Sequence, residues 1–201
     1  MRRHISSSTR YVIYGFWYDH FRRNVRPCAN THRPFCTPLP VVIEERGQFG
    51  VSLFSDPFRA VERARVWDEG GSRDSMDWVT ARMEYDALLS RFGVTDVAPD
   101  QFSEWEIVAA TFLLGEMAAH TKLHGAKFVV VYIPSYFQSP APIPKPLENW
   151  LRKNNIQFVD AWQILDTMIS TGESPGIPGD FHLTARAHRL IGDAVHAHVR
   201  K

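Results

Sequence analysis

The chain has 201 residues, 44% of them hydrophobic, enough to bury one sizeable core. Its 23 basic and 22 acidic residues are mixed along the sequence, and the net charge of +1 argues against a nucleic-acid or polyanion partner. No apolar run reaches the ~18 residues of a membrane helix, so no membrane partner is expected.

The polar start, Met1 to Arg10, lacks the apolar segment of a secretion signal, which predicts a cytoplasmic protein. This stretch reads as disordered or as part of a segment begun elsewhere. Tyr11-Val12-Ile13-Tyr14-Gly15-Phe16 is β-rich and continuously apolar, as a strand buried on both faces is. Trp17 to Asn24 mixes aromatic and charged residues and reads as a loop or short helix. Arg26 to Pro40 is Pro-rich and aperiodic, an irregular loop holding Cys28 and Cys36, which lack zinc spacing and are either bonded or reduced. Val41-Val42-Ile43 and Phe49 to Phe54 flank Glu44-Glu45-Arg46-Gly47, a hairpin pattern.

Ser55-Asp56-Pro57 opens a helix to about Val66, with Pro57 suited to a first turn, and a second helix runs from about Met76 to Arg91 and stops at Gly93. Ser103-Glu104-Trp105-Glu106 is a capping box for a long helix ending near His124-Gly125, with Ile107, Phe112, Leu113, Met117 and Ala118 as its apolar face. Lys127 to Ile133 is the strongest strand pattern, closed by Pro134. A short helix from about Lys145 to Asn154, a strand Gln157 to Asp160, a helix Ala161 to about Ser170 and a final helix from near Thr184 complete the chain. Strands alternating with helices predict a parallel α/β sheet with helices on its faces, here with three core strands.

Asp180-Phe181-His182, just ahead of the last helix, holds the chemistry. A serine hydroxyl is a poor nucleophile until a base takes its proton, and a carboxylate fixes that base's tautomer and orientation. A D-x-H spacing in extended chain sets both side chains on one side. The plainer alternative makes Asp180 a helix cap and His182 a polar surface residue. Trp17 and Tyr18, beside Asp19 and His20 at a strand end, either line a substrate cleft or pack in the core. His120 and His124 lie one helical turn apart but lack a third ligand, and read as helix-end residues rather than a metal site. His188 is expected on the inner side of the last helix.

Asp180-Phe181-His182-Leu183-Thr184, followed by Ala187-His188-Arg189-Leu190-Ile191, resembles the final block of the SGNH (GDSL-type) hydrolases. Tyr11 to Asp19 is similar to the third-block strand of that superfamily, Lys127 to Pro134 to the next strand, and Ile156 to Ala161 to its "I-x-x-x-D" strand. The resemblance implies a three-layer α/β/α, flavodoxin-like parallel sheet over residues 11–201, with a loop and helical insertion at about 26–99 and the first strands lacking. It implies an ester or O-acyl hydrolase, or the C-terminal part of one, with His182 as general base and Asp180 as its orienter. Trp17, Asp19 and His20 would line the site of a small-molecule or glycan ester, with no cofactor and no metal.

The departures are specific. No Gly-Asp-Ser occurs in the chain, the second-block Gly is unmatched, and Trp17 stands where the third block has an oxyanion-binding Asn. Gly172-Glu173-Ser174-Pro175-Gly176 spells a G-x-S-x-G elbow, but Pro175 has no N–H to donate to an oxyanion. Ser135 follows a strand and is better placed, but Pro134 and the aromatic Tyr136-Phe137 read as an ordinary loop. The other reading is an inactive binding or assembly module on the same scaffold. Without the first strands, the Tyr11 to Phe16 edge would be bare, so the isolated chain is expected to be marginal, to self-associate along that edge, or to be a fragment of a longer hydrolase.

Overall fold

The computed structural model describes residues 5–6, 8–24, 41–45, 47–52, 102–135, 141–179 and 182–200. In chain order the elements are β1 (Tyr11–Trp17), α1 (His20–Arg23), β2 (Val41–Glu45), β3 (Gln48–Ser52), α2 (Glu104–Leu123), β4 (Lys127–Ile133), α3 (Lys145–Lys153), β5 (Gln157–Asp160), α4 (Trp162–Ser170) and α5 (Ala185–Val199). The expected helices at 55–66 and 76–91, and both cysteines, lie outside the described residues. Two compact units divide the chain, one of residues 1–19 and 113–201, the other of residues 20–112.

The first unit is a mixed α/β fold around a small open parallel sheet in the order β1-β4-β5. Tyr11 to Trp17 pair residue for residue with Lys127 to Ile133, and Val129 to Tyr132 pair with Gln157 to Asp160. The run KFVVVYI is central because both its faces are apolar: every residue from Phe128 to Ile133 is buried. Val131 and Ile133 join one core with Leu165 and Met168 of α4 and Ala187, Ile191 and Val195 of α5. The alternate residues, Phe128, Val130 and Tyr132, point to the opposite face. On α5 the spacing 187, 191, 195 gives a single inward stripe. Tyr11 Oη donates to the Val199 carbonyl at 2.9 Å, tying the start of β1 to the end of α5.

In the second unit, β2 and β3 form the expected antiparallel hairpin, and Gly47 takes φ +77° in its turn. Ring centroids of Trp105 and Phe112 lie 5.9 and 5.6 Å from Phe49. The capping box forms in both directions: Ser103 N–H donates to Glu106 Oε2 at 2.7 Å, and Glu106 N–H donates to Ser103 Oγ at 3.2 Å.

Three expectations about buried faces are corrected. β1 is not buried on both faces, since Ile13 is 51% exposed. It sits at one end of the sheet order, where apolar residues have a partner strand on one side. The buried positions of α2 are Glu106, Ala109, Ala110, Leu114 and Thr121, while Ile107, Phe112, Leu113, Met117 and Ala118 are only partly buried. Apolar residues surround this helix, so periodicity alone does not select its inner face. His188 is exposed, and Ala187 takes the inner position beside it.

Candidate functional site

The three parallel strands end together. Beyond β1, Tyr18 N–H donates to the Ile133 carbonyl at 3.0 Å, and beyond β5, Ala161 N–H donates to the Tyr132 carbonyl at 2.9 Å. Trp17-Tyr18, Tyr132-Ile133 and Asp160-Ala161 are thereby laced side by side at the carboxyl end of the sheet, with Pro134 and Ser135 following Ile133. In open α/β sheets, this is the end at which ligands bind.

His182 is carried by a hairpin of its own. Ile177 N–H donates to the His182 carbonyl at 2.9 Å, and Thr184 N–H donates to the Pro175 carbonyl at 2.8 Å. Gly176 and Leu183 face each other as an antiparallel bridge. At the tip, Gly179 takes φ +76° directly after Pro178, a pair suited to a tight turn because one residue fixes φ and the other tolerates the left-handed region. An ion pair between Arg186 and Glu173, at 2.5 Å, joins the base of the hairpin to the first turn of α5.

Leu183 anchors the hairpin. It is 2% exposed and lies in the core cluster with Ile133 and Ala161, and Trp17 is packed against the same cluster. The alternation of an extended chain then turns the neighbouring His182 side chain outward, and that residue is exposed. Asp180 lies outside the described residues. The last helix does not depend on it for a cap: Thr184 Oγ1 accepts from Ala187 N–H at 3.2 Å.

Of the residues singled out beside β1, Trp17 and Asp19 belong to the first unit and are partly buried, whereas His20 opens α1 in the second. Ser135 directly follows Pro134 at the end of β4 and is partly buried. Ser174 donates its hydroxyl to the Gly176 carbonyl at 2.8 Å, so it is spent inside the hairpin base. The His120 and His124 rings meet edge to face at 4.8 Å. Among the described residues no cluster of three or more His, Cys, Asp or Glu side chains could hold a metal ion. Among them, too, no helix is long and apolar enough to cross a membrane.

Asp160, in the sequence only the acid of the "I-x-x-x-D" strand, and Tyr132 are two further residues that organise this end of the sheet. The Asp160 carboxylate accepts from two backbone donors, Ile143 N–H to Oδ2 and Trp162 N–H to Oδ1, both at 2.9 Å. It thus fastens the segment before α3 and the first turn of α4 to the end of β5. Burial raises its pKa above the ordinary carboxylate value, and the two backbone hydrogen bonds pull the other way. The Tyr132 phenol is pushed well up, first by burial and then by the nearby Asp160 and Tyr18. Asp160 was visible as an acid two residues before a helix, the spacing of a capping side chain. Tyr132, within a run of β-formers, had no such signal.

Compared with known proteins, the chain matches no family model, no curated protein and no solved structure.

Proposed function

We propose that the chain is an SGNH-type ester or O-acyl hydrolase, or the C-terminal part of one, built on a flavodoxin-like sheet. His182 acts as general base and Asp180 as its orienter. The observation that supports this most is the hairpin that holds an exposed imidazole at the carboxyl end of a parallel sheet, next to a helix N-terminus. A base must be fixed by its surroundings before it can take a proton productively. The strand order β1-β4-β5 fits the last three strands of such a sheet.

With no Gly-Asp-Ser in the chain, the rate should be low, since loss of a nucleophile costs several orders of magnitude. Purified protein with p-nitrophenyl acetate tests the reading. Turnover that disappears in His182→Ala, with the melting temperature kept, supports it; turnover that His182→Ala leaves unchanged refutes the assignment. A second reading, a non-catalytic binding module on the same scaffold, is favoured by Trp17 standing where an oxyanion-binding Asn would be. It predicts no turnover in either protein.

A further inference from the structure

We propose that the outer edge of β1 pairs with β1 of a second copy of this chain, antiparallel about a two-fold axis at Tyr14, so that the two three-stranded sheets join into one. The edge belongs to the first unit, and its pairing is independent of the hydrolase reading.

The ladder between β1 and β4 shows which backbone groups face outward. At its two ends, Lys127 N–H donates to the Arg10 carbonyl at 2.9 Å and Tyr18 N–H donates to the Ile133 carbonyl at 3.0 Å. Bonded residues alternate along a parallel strand, so Val12, Tyr14 and Phe16 turn their backbone groups to β4. Ile13 and Gly15 turn theirs to the outer edge. Both are exposed, and among the described residues β4 is the only strand paired with β1. The two edges of the sheet differ. β5 is four residues long with Gln157 and Asp160 at its ends, whereas β1 has seven residues, none of them charged or Pro, and pairs with β4 without a bulge. Edges that stay unpaired are protected by charge, Pro, bulges or shortness. β1 has none of these, which is the pattern of an edge that is paired.

A second β1 fits this edge by its own pattern. With Tyr14 opposite Tyr14, the full strand pairs, and Ile13 of each copy faces Gly15 of the other as a hydrogen-bonded pair. A shift of two residues either way pairs only five of the seven, and a shift of one sets outward groups against inward ones. Opposed residues of an antiparallel pair share a face. The Ile13 side chain, 51% exposed, therefore covers a position where the other copy has no side chain. On the opposite face Val12 meets Phe16 and Tyr14 meets Tyr14, apolar and aromatic pairs of the stabilising kind. Neither strand carries a charge, so the copies meet without repulsion, and a two-fold contact closes at two copies. A strand contact about 23 Å long, seven residues at roughly 3.3 Å each, falls at the low end of interface sizes, below about 1,200 Å², which suits a weak dimer.

The experiment is sedimentation of the full chain from about 1 µM to about 1 mM, with amide hydrogen exchange read at both ends of that range. The expected result is a monomer–dimer equilibrium with a dissociation constant of roughly 10–100 µM. In the dilute protein the Ile13 and Gly15 amides should exchange fast while Tyr14 and Phe16, facing β4, exchange slowly; in the concentrated protein Ile13 and Gly15 should slow about ten-fold or more. Gly15→Pro removes an outward donor from each copy and fills the edge with a ring, while leaving the ladder to β4 intact, a place where an edge strand tolerates Pro. It should weaken the dimer about ten-fold or more. Ile13→Lys, at an exposed position, is the companion variant should Gly15→Pro disturb the fold, and it too should weaken the dimer. A monomer at every concentration, a dimer that either variant leaves unchanged, or slow exchange of Ile13 and Gly15 in the dilute monomer, where another segment would be covering the edge, overturns the proposal.

Discussion

The two ends of the central strand β4 are built differently. At its carboxyl end, backbone and side chains are cross-tied: Tyr18 and Ala161 extend the ladders, Asp160 holds two N–H groups, and Leu183 pins the His182 hairpin. At its amino end, Gly115 of α2 lies close against Trp150 of α3, and the exposed Lys122, Asn154, Asn155 and Gln157 border the groove beside them. One end spends its residues on fixing positions, as a reactive group requires. The other is a surface groove in which a glycine lets two helices approach closely.

Substitutions should separate the two ends by sign as well as size. Leu183→Ala should cost the most, about 2–5 kcal/mol, because a fully buried anchor leaves a cavity in the cluster with Ile133 and Ala161. Chemical denaturation reads this directly. A loss under ~1 kcal/mol would mean that the hairpin is not anchored there.

Asp160→Ala comes next, at about 2 kcal/mol, since the Ile143 and Trp162 N–H groups lose their acceptor. Asp160→Asn refines the test through pH. A folded-state pKa above the unfolded value means that the folded form holds the proton more tightly. Wild-type stability relative to Asp160→Asn therefore falls as pH rises from about 3.8 through the raised folded value, and is greater near pH 4 than at pH 7. Denaturation at the two pH values checks the sign. The opposite trend would contradict burial as the dominant cause.

At the amino end the expected effect is smaller and reversed. Gly115 lies inside α2, and an added Cβ meets Trp150 only at ordinary contact distance, 3.5 Å. Gly115→Ala should stabilise by about 0.5–1 kcal/mol, the helix-propensity gain. A net loss in a melting experiment would show the wall to be tighter than its contacts indicate.

What was legible in the sequence followed from how sharply each pattern selects one conformation. The run Lys127 to Ile133 and the Ser103 to Glu106 box each admit essentially one structure, and both formed over the expected residues. The face of α2 was not legible, because Ile107, Phe112, Leu113 and Met117 surround the helix while Glu106 and Thr121 are the buried polar pair. Burial there is decided by what packs against the helix. The D-x-H spacing drew attention to His182 through Asp180, a residue outside those described. The hairpin around the imidazole, built on Pro178-Gly179 and Leu183, depends instead on pairing across the loop. The role of Asp160 required knowing that Ile143, seventeen positions away, returns to the end of β5.

The central claim is that the hairpin bearing His182 is fixed to the carboxyl end of the sheet. Methyl NOESY spectra of the full chain test it most directly, through the Leu183 methyl groups. The account predicts cross-peaks from Leu183 into the Ile133, Ala161, Leu165 and Ala187 cluster, together with a cross-strand contact between Gly176 and Leu183. Leu183 methyls at random-coil shifts, with no cross-peak to that cluster, would contradict it.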